Sequence, residues 1–499
     1  MILAILLSYL MLVALIGPLS NRLLRATGED YFVATRSIGP VFLLLSLFGT
    51  NMTAFTILGA SGEAYRVGIG VFALMASSSA LVIPCVFLFI GTRLWAVGKR
   101  TGILTQVQYV RRRWANDGLG SALFPVLVLL LMPYLLIGLK GGGVTLNRIT
   151  GGQVPAWVGG LLITMVVFSY VSFGGLRGTT WANAFQTTVF MVLGAITLGY
   201  IVHRLGGLGA ALDQVEAARP ELLRRTQTIP PLKQMTYPLV AAAVGTFPHI
   251  FLHWMSARRV ETFRLPILAY PLCIAAVWLP SVLLGVLGHV NFPNLTSQEA
   301  GGVLIRMIHF HAPEALAGLL GAGVFAAVMS SLDSQVLALG TMFTKDVLQH
   351  RGWLRSTGDA ARDEQRQIWA GRAFVGAILL ITYALSLIVD STIFGLAIWS
   401  FTGFTGLLPI LVAGVWWRRS TAAGVGAALA TTVTLWLAFF LHGGSVPGYT
   451  VGGTGLMPVA IVAGASAIVL VLVSLATRPP SDDVLAPFFP DAASEASTP

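Results

Sequence analysis

The chain has 499 residues, of which 56% are hydrophobic and 10% are charged, and its mean hydropathy is +0.80. Soluble globular domains do not reach this composition, so we predict an all-α polytopic membrane protein with the lipid bilayer as its partner. The net charge of +11 does not indicate nucleic-acid binding, because the basic residues lie in short connections between apolar runs, where they orient membrane proteins. Cys85 and Cys273 lie inside apolar runs, and we expect them to be small core residues.

Apolar runs long enough to cross a bilayer recur along the chain, and we count about thirteen. Residues 2–20 form the first run, which we expect to be a retained span, because no basic segment precedes it and no convincing cleavage site follows. The other twelve runs are residues 39–65, 68–92, 119–147, 153–173, 181–204, 237–257, 265–290, 314–343, 368–389, 391–416, 421–441 and 454–477.

Basic residues set the expected orientation of these spans. With the N-terminus outside and the C-terminus in the cytoplasm, 22 of the 31 Lys and Arg residues lie in cytoplasmic connections. This enrichment agrees with the positive-inside rule and predicts a multi-pass protein of the cell (inner or plasma) membrane.

Two segments outside the spans have a distinct composition. Residues 206–236 form an extracytoplasmic loop with apolar residues at helical spacing among charges, which predicts an interfacial helix, or alternatively a solvated linker. Residues 479–499 are rich in Pro, Ala, Ser and Asp without periodicity, so we expect a disordered cytoplasmic tail.

Two of the apolar runs contain helix-breaking residues near their middle. The run 39–65 is interrupted at residues 49–53, and the run 237–257 is interrupted at residues 245–249, where Pro248 removes a backbone hydrogen bond. These broken spans occupy corresponding positions in two groups of five. They predict a first inverted repeat at 39–205 and a second at 237–416, flanked by peripheral segments at 1–38 and 417–478. The two halves show no sequence identity, so hydropathy and the breaks alone carry this prediction.

The run 314–343 carries polar groups near its middle. Ser330, Ser331 and Asp333 cannot face lipid, and such groups mark an ion or solute path by default. Alternatively, the two serines bond the carbonyl groups of their own helix.

Several motifs, in this order and spacing, resemble the sodium/solute symporter family. The resemblance covers residues 30 to about 420 and implies a LeuT-type fold, with one helix before the ten-helix core and two after it. It also implies Na⁺-driven uptake of a small-molecule substrate by alternating access. The motifs begin at Asp30 (DYFVATRSIG), Leu45 (LSLFGTNMTAF), Gly59 (GASGEAYRVG), Phe173 (FGGLRG), Pro248 (PHI) and Ala326 (AAVMSSLDSQ).

The family's sodium site uses carbonyl oxygens of the first broken helix together with carbonyl and hydroxyl oxygens of the eighth core helix. In a regular helix the carbonyl oxygens accept backbone hydrogen bonds, but in an unwound segment they are free to coordinate a cation. A hard cation such as Na⁺ prefers oxygen ligands of this kind. The resemblance implies that the corresponding ligands in this chain are Gly49, Met52, Ala327, Ser330 and Ser331.

The resemblance also implies a substrate site at the two breaks. The second break is similar to that of carriers for amino acids and small carboxylates, but His253 stands where those carriers usually have an arginine. Asn51 matches sugar carriers, whereas proline carriers have an aspartate there; it either bridges the sodium and substrate sites or caps the break. The candidate substrate-binding residues are Asn51, Thr53, Thr56, Phe247, Pro248 and His249.

Two further positions bear on the coupling ion. Asp333 lies about 200° around the helix from the serines, so we expect it to have a structural partner, such as an amide or an arginine, outside their ligand shell. Family members that couple two sodium ions have a Trp-Thr-Asp motif in the fifth core helix, where this chain has Trp181, Ala182 and Asn183. We therefore predict one Na⁺ per substrate, unless Asp333 or Asp346 supplies the missing charge.

The function expected from these observations is Na⁺-coupled symport of a small carboxylate, such as an amino acid, a monocarboxylate or pantothenate. The alternatives are a sugar-type substrate, H⁺ coupling through Asp333, and a solute receptor built on the same fold. An enzyme is not expected, because no acid–base or nucleophile constellation recurs at one membrane depth.

Overall fold

The computed structural model describes residues 1–23, 38–224, 228–353, 358–444, 446 and 448–489. Most of the motif beginning at Asp30 and residues 490–499 of the tail lie outside this part. Within it the secondary structure is helical, apart from one β-bridge between Ile38 and Ala257. The principal helices are α1 Ile2–Leu23, α2 Pro40–Asn51, α3 Phe55–Val67, α4 Phe72–Thr101, α5 Gln106–Arg113, α6 Asp117–Ile149, α7 Ala156–Leu176, α8 Gly178–Arg204, α9 Leu208–Ala218, α10 Pro231–Thr246, α11 Pro248–Ser256, α12 Val260–Asn291, α13 Val303–His311, α14 Glu314–Gln349, α15 Arg362–Ile388, α16 Ile393–Trp416, α17 Ala422–Gly443, α18 Pro458–Ala476 and α19 Asp482–Leu485.

The helices confirm the all-α membrane class. Ten of the described helices are long and apolar enough to cross a bilayer, and the two bent pairs α2/α3 and α10/α11 raise the number of spans to twelve. The apolar part of α1, Ile2–Ile16, is shorter than these. The predicted count of thirteen spans therefore stays a prediction.

Both predicted helix breaks are present. The axis bends by 59° between α2 and α3, where Met52 has extended backbone angles (φ −89°, ψ 96°). It bends by 54° between α10 and α11, where Phe247 is extended (φ −70°, ψ 131°). The residue before a proline disfavours the helical region, so Pro248 explains the second break directly.

A bent span followed by four continuous spans occurs twice along the chain, first from α2 to α8 and again from α10 to α16. The span α14 lies at the centre, because 83% of its most apolar window is buried, against 28% for α15 and for α18. Polar side chains on α14 therefore face other helices and not lipid. The exact boundaries of the two repeats stay predictions.

Two helices between spans were not predicted, α5 and α13. Helix α5 begins at Gln106, and the preceding Thr105 caps it by accepting a hydrogen bond from the Gln108 backbone N–H at 3.1 Å. Helix α9 forms inside the loop for which an interfacial helix was predicted, and it buries Ala211 and Val215. Its position at the membrane surface stays a prediction.

The beginning of the tail differs from the predicted disorder. Helix α19 is followed by Phe488, which is 8% exposed, and by Phe489, whose ring centroid lies 4.9 Å from the Arg113 guanidinium. Burial lowers the pKa of Arg113 to about 10, so the group remains a cation at neutral pH and attracts these rings. Two aromatic residues thus order a segment whose composition alone indicated disorder.

The prediction for Cys85 was also wrong. Its side chain is exposed on a membrane-spanning helix, and that of Cys273 is only partly buried. An apolar run in a membrane protein has a lipid-facing side as well as a buried side, so position within a run does not place a residue in the core.

Candidate functional site

Three of the five predicted sodium ligands, Gly49, Ala327 and Ser330, meet where α2 ends beside α14. The Ser330 hydroxyl donates a hydrogen bond to the Gly49 carbonyl at 2.9 Å and lies 3.1 Å from the Ala327 carbonyl. The Ser331 hydroxyl bonds the Val328 carbonyl of its own helix at 3.3 Å, which is the alternative arrangement considered for the serines. Gly49, Met52, Ala327, Ser330 and Ser331 are all buried, so the break and α14 hold a set of oxygen atoms away from solvent.

Close packing explains why position 49 is a glycine. A Cβ atom there would lie 2.1 Å from the Thr187 hydroxyl oxygen and 3.2 Å from the Asn183 carbonyl oxygen, both on α8. Any side chain would push α2 away from α8. The last carbonyls of a helix have no intrahelical partner, and the Gly49 carbonyl is one of these that α2 presents to α14.

A carboxylate lies beside this set, on the α7 and α8 side of α14. Asp333 is fully buried and accepts hydrogen bonds from the Tyr170 hydroxyl at 2.8 Å and from the Ser334 hydroxyl at 3.1 Å. The Asn183 amide donates to the Ser334 hydroxyl at 2.8 Å, so Ser334 links this amide to the Asp333 carboxylate.

The expected arginine partner of Asp333 is not found, since none of the ion pairs among the described residues includes this carboxylate. The expected amide, that of Asn183, reaches this carboxylate only through the Ser334 hydroxyl. A buried carboxylate without a cation is costly, so this one is either protonated or balanced by a bound cation.

Aromatic rings surround the second break. The Phe247 ring lies 5.1 Å from the Tyr134 ring, 5.1 Å from His249, 5.4 Å from Phe401 and 4.7 Å from Phe404, measured between centroids. We call these five residues the ring box. Helices α6, α10/α11 and α16 contribute to it, so residues distant in sequence form one wall.

The imidazole of His249 has no hydrogen-bond partner in this box. Its side chain is fully buried, and neither ring nitrogen has a partner among the described residues. A buried polar group without a partner costs about 1–3 kcal/mol. It lies in the first turn of the nine-residue α11, where backbone N–H groups are also without intrahelical partners. Both features suit an acceptor group of a bound solute.

The residues of the first break have mixed roles. The Asn51 amide donates to the Tyr270 hydroxyl on α12 at 2.9 Å, and both roles considered for it stay predictions. The Thr53 hydroxyl accepts from the Phe55 N–H at 2.9 Å and thereby starts α3, while the Thr56 hydroxyl contacts the Met52 sulfur at 3.5 Å. Of the six candidate substrate residues, Phe247 and His249 lie in the ring box and Pro248 joins them in sequence.

Charged groups close the site on one side, which we call the Lys233 side. The buried Glu63 carboxylate on α3 pairs with Arg66 at 2.7 Å and with Lys233 on α10 at 3.3 Å. Lys233 also lies 5.9 Å from the Phe394 ring, which is 5.5 Å from the Phe55 ring. An ion pair over aromatic rings therefore joins the two broken spans.

Neutral hydrogen bonds close the opposite side, which we call the Gln106 side. The Gln106 amide on α5 donates to the Thr246 carbonyl at the second break at 2.8 Å. The Ile38 N–H donates to the Ser256 carbonyl at 3.2 Å, which links the start of one broken span to the end of the other. His253 lies 3.0 Å from the Ser46 hydroxyl and so cross-links α11 to α2.

Sequence reasoning missed Tyr134, Phe401 and Phe404 of the ring box, and Gln106 below it. Tyr134 follows Pro133 in the middle of an apolar run, and a polar aromatic residue at that depth was an available signal. Nothing in the sequence distinguished the two phenylalanines from the others in the chain.

Two bent spans crossing beside a buried central helix, in two successive groups of five, define the LeuT-type transporter fold. A solved Na⁺-coupled sialic acid symporter, in a substrate-bound outward-open state, has this fold with a TM-score of 0.76 at 16% identity, covering 96% of this chain and 98% of that one. MhsT in complex with L-phenylalanine gives a TM-score of 0.52 at 14% identity, covering 87% of this chain and 98% of that one.

The chain belongs to the sodium:solute symporter family, whose model matches residues 31–433. The sodium/pantothenate symporter of Escherichia coli is 26% identical over 81% of this chain and 83% of its own length. The high-affinity proline transporter PutP of Bacillus subtilis is 24% identical over 91% of this chain and 94% of its own length. The protein is therefore a Na⁺-coupled symporter and a multi-pass protein of the plasma membrane.

Proposed function

We propose that the solute carried with Na⁺ is a small organic carboxylate, and that it binds between the ring box and the first helix break. The unpartnered imidazole of His249 is the observation that carries this proposal, because it lies at a helix N-terminus where negative charge is favoured. The rings of Phe247 and Tyr134 suit an apolar body on the same molecule. The pantothenate and proline symporters among the relatives carry substrates with a carboxylate, which supports this class.

The sodium ion in this proposal is bound by the Gly49, Met52 and Ala327 carbonyls and by the Ser330 and Ser331 hydroxyls. The bond between Ser330 and Gly49 supports the assignment, because it brings oxygen atoms of the broken span and of α14 to one place. Binding of Na⁺ would require both serine hydroxyls to turn their hydrogens away from the carbonyls that they contact now.

Transport then follows from the two closures. Opening the Lys233 side requires α3 and α10 to part at Glu63, and opening the Gln106 side requires α5 to leave the Thr246 carbonyl. We propose, from the distribution of basic residues, that the Gln106 side is cytoplasmic and the N-terminus outside. Sodium binding joins the first break to α14 and so biases which closure is broken.

Asp333 favours a second coupled cation. The prediction of one Na⁺ per substrate rested on the missing carboxylate at Asn183, but the Ser334 hydroxyl links that amide to the Asp333 carboxylate. This link supports the alternative left open by the sequence, in which Asp333 supplies the charge that position 183 lacks. We propose that a second cation, Na⁺ or H⁺, is balanced by this group.

Uptake into proteoliposomes tests the proposal. An inward Na⁺ gradient should drive accumulation of a carboxylate substrate, and a pH gradient in the absence of Na⁺ should not. Accumulation that is unchanged when the internal and external Na⁺ concentrations are made equal would refute Na⁺ coupling. The substrate can be found by thermal-shift screening of acids and sugars in NaCl, with KCl as the control. Stabilisation by sugars alone would overturn the carboxylate assignment.

A further inference from the structure

A groove with a volume of about 510 Å³ opens on the lipid-facing side of the protein, away from the ring box. Residues 408–417 of α16 and 460–471 of α18 form its two walls, and Leu239 of α10 closes its floor. Its outer margins include Val412 and Val471, which are 40% and 42% exposed. Its lining is apolar, so the groove suits hydrocarbon and not a polar solute.

Small residues make the α18 wall shallow. Ala460, Ala463, Gly464 and Ala467 recur at helical spacing and lie on one face of the helix. A Cβ atom at Gly464 would meet no atom within 4 Å, which shows that the space beside it is open. The twelve residues from 460 to 471 rise about 16 Å along the helix, so the groove is long and narrow, as an extended acyl chain requires.

A cation lies at one end of the groove. The Arg93 guanidinium lies 3.4 Å from the ring centroid of Trp416, a residue that lines the groove and is 47% exposed. The Trp416 indole donates to the Phe89 carbonyl at 3.2 Å, which fixes the ring under the cation. Arg93 is exposed, and it takes part in none of the ion pairs among the described residues.

We propose that this groove binds an anionic phospholipid, with one acyl chain along α18 and the phosphate on Arg93. Tryptophan residues concentrate at the headgroup level of a bilayer, so Trp416 marks the depth at which a phosphate would lie. Basic groups at the ends of clefts between membrane helices attract such headgroups. The apolar groove and the unpaired cation are thus complementary to the two parts of one molecule.

A lipid in this groove would contact α10, which is part of a bent span, and α16, which is a continuous span. The Thr405 hydroxyl on α16 donates to the Leu239 carbonyl on α10 at 2.8 Å, beside the groove. A bound chain therefore packs against the contact between α10 and α16. A second copy of the protein is the less suitable occupant, because stable interfaces bury about 800 Å² per partner and a narrow groove offers little flat surface.

Native mass spectrometry of the purified, delipidated full-length chain tests the proposal, with phosphatidylglycerol and phosphatidylcholine of identical acyl chains added back. We expect the protein to retain phosphatidylglycerol about fivefold better than phosphatidylcholine. Gly464→Phe should fill the groove and lower retention of both lipids, and Arg93→Gln should remove the preference between them. The matched controls are Gly199→Phe, at an exposed glycine of α8 where a Cβ atom would likewise meet no atom within 4 Å, and Arg100→Gln at the end of α4; both should behave like the wild type.

Several results would overturn the proposal. Equal retention of the two lipids by the wild type, or equal losses in the control variants, would show that no specific site exists. Competition by glycerol phosphate alone would reduce the site to a phosphate site without a chain. A shift from dimer to monomer in Gly464→Phe, with lipid retention unchanged, would show that a second copy covers the groove.

Discussion

The proposed sodium-binding part of the candidate site, called here the sodium half, and the proposed substrate-binding part, the substrate half, are made of different groups. The sodium half is formed by backbone carbonyls at a helix break and by two serine hydroxyls on α14, with Ser330 and Gly49 already in contact. The substrate half is formed by side chains from three separate elements around Phe247 and His249. The first half depends on where a helix stops, and the second depends on which side chains meet.

This difference indicates how each half responds to substitution. A carbonyl ligand survives most side-chain changes at its own position, so the serine hydroxyls are the points at which the sodium half can be altered selectively. In the substrate half, each ring contributes both shape and contact area, and His249 adds a polar group that has no hydrogen-bond partner among the described residues. Substitutions in the sodium half should therefore change the apparent affinity for Na⁺, and substitutions in the substrate half should change the apparent affinity for the substrate.

The largest effect is expected for Ser330→Ala in the sodium half. Loss of one ligand oxygen from a cation costs about 1.5–3 kcal/mol, so the apparent Na⁺ affinity should fall by roughly tens of fold, with Ser331→Ala similar. Uptake measured against Na⁺ concentration checks this. Ser466→Ala is the matched control, because Ser466 on α18 also donates to a glycine carbonyl, that of Gly406, at 2.7 Å, and neither residue is a proposed sodium ligand. Wild-type Na⁺ affinity in both variants would contradict the assignment.

A smaller effect, on the other half, is expected for His249→Phe. The ring stacking with Phe247 is kept while the imidazole nitrogens are lost, so the apparent substrate KM should rise about tenfold through loss of a hydrogen bond to a charged group. Apparent Na⁺ affinity at saturating substrate should stay unchanged. His309→Phe, whose imidazole bonds the Ile149 carbonyl at 3.1 Å outside the site, serves as the control. An unchanged KM in His249→Phe would remove this residue from the substrate half.

The closure over the substrate half should respond to Glu63→Gln. The amide keeps a hydrogen-bond acceptor but loses the charge that faces Arg66 and Lys233, a loss of about 1 kcal/mol or about fivefold in the closed population. Maleimide labelling of Phe394→Cys, in a background with Cys85 and Cys273 replaced by serine, should accelerate by that factor. Glu299→Gln, which breaks the half-exposed pair with Arg306, should leave labelling unchanged. No acceleration in Glu63→Gln would mean that this ion pair does not hold the closure.

The smallest effect is expected for Asp333→Asn beside the sodium half, and it is a change by one in the number of cations transported per substrate. If this carboxylate balances a second cation, reversal-potential measurements should give two cations per substrate in the wild type and one in the variant. Repeating the measurement with ΔpH and with ΔpNa separates H⁺ from Na⁺. A value of one in both proteins would restore the prediction made from Asn183.

The sequence predicted those structural features that depend on residues close together in the chain. Both helix breaks follow from Gly, Thr and Pro residues in apolar runs, and the two bends lie at the predicted positions. The helix α5 and the ordered start of the tail were not predictable in this way, because α5 is short and polar, and Phe488 is held by contacts with Tyr109 and Arg113. Neither residue is near Phe488 in sequence.

The sequence by itself determined the membrane class, the broken spans and the family, because hydropathy, helix breakers and motif order are properties of neighbouring residues. Only the tertiary structure decided that Ser334 links Asp333 to Asn183, that the Asn51 amide bonds Tyr270, and that Tyr134 and Phe401 complete the ring box. These pairs are joined by helix packing across large sequence separations. Such packing depends on the combined shapes of several helices, which no short stretch of sequence contains.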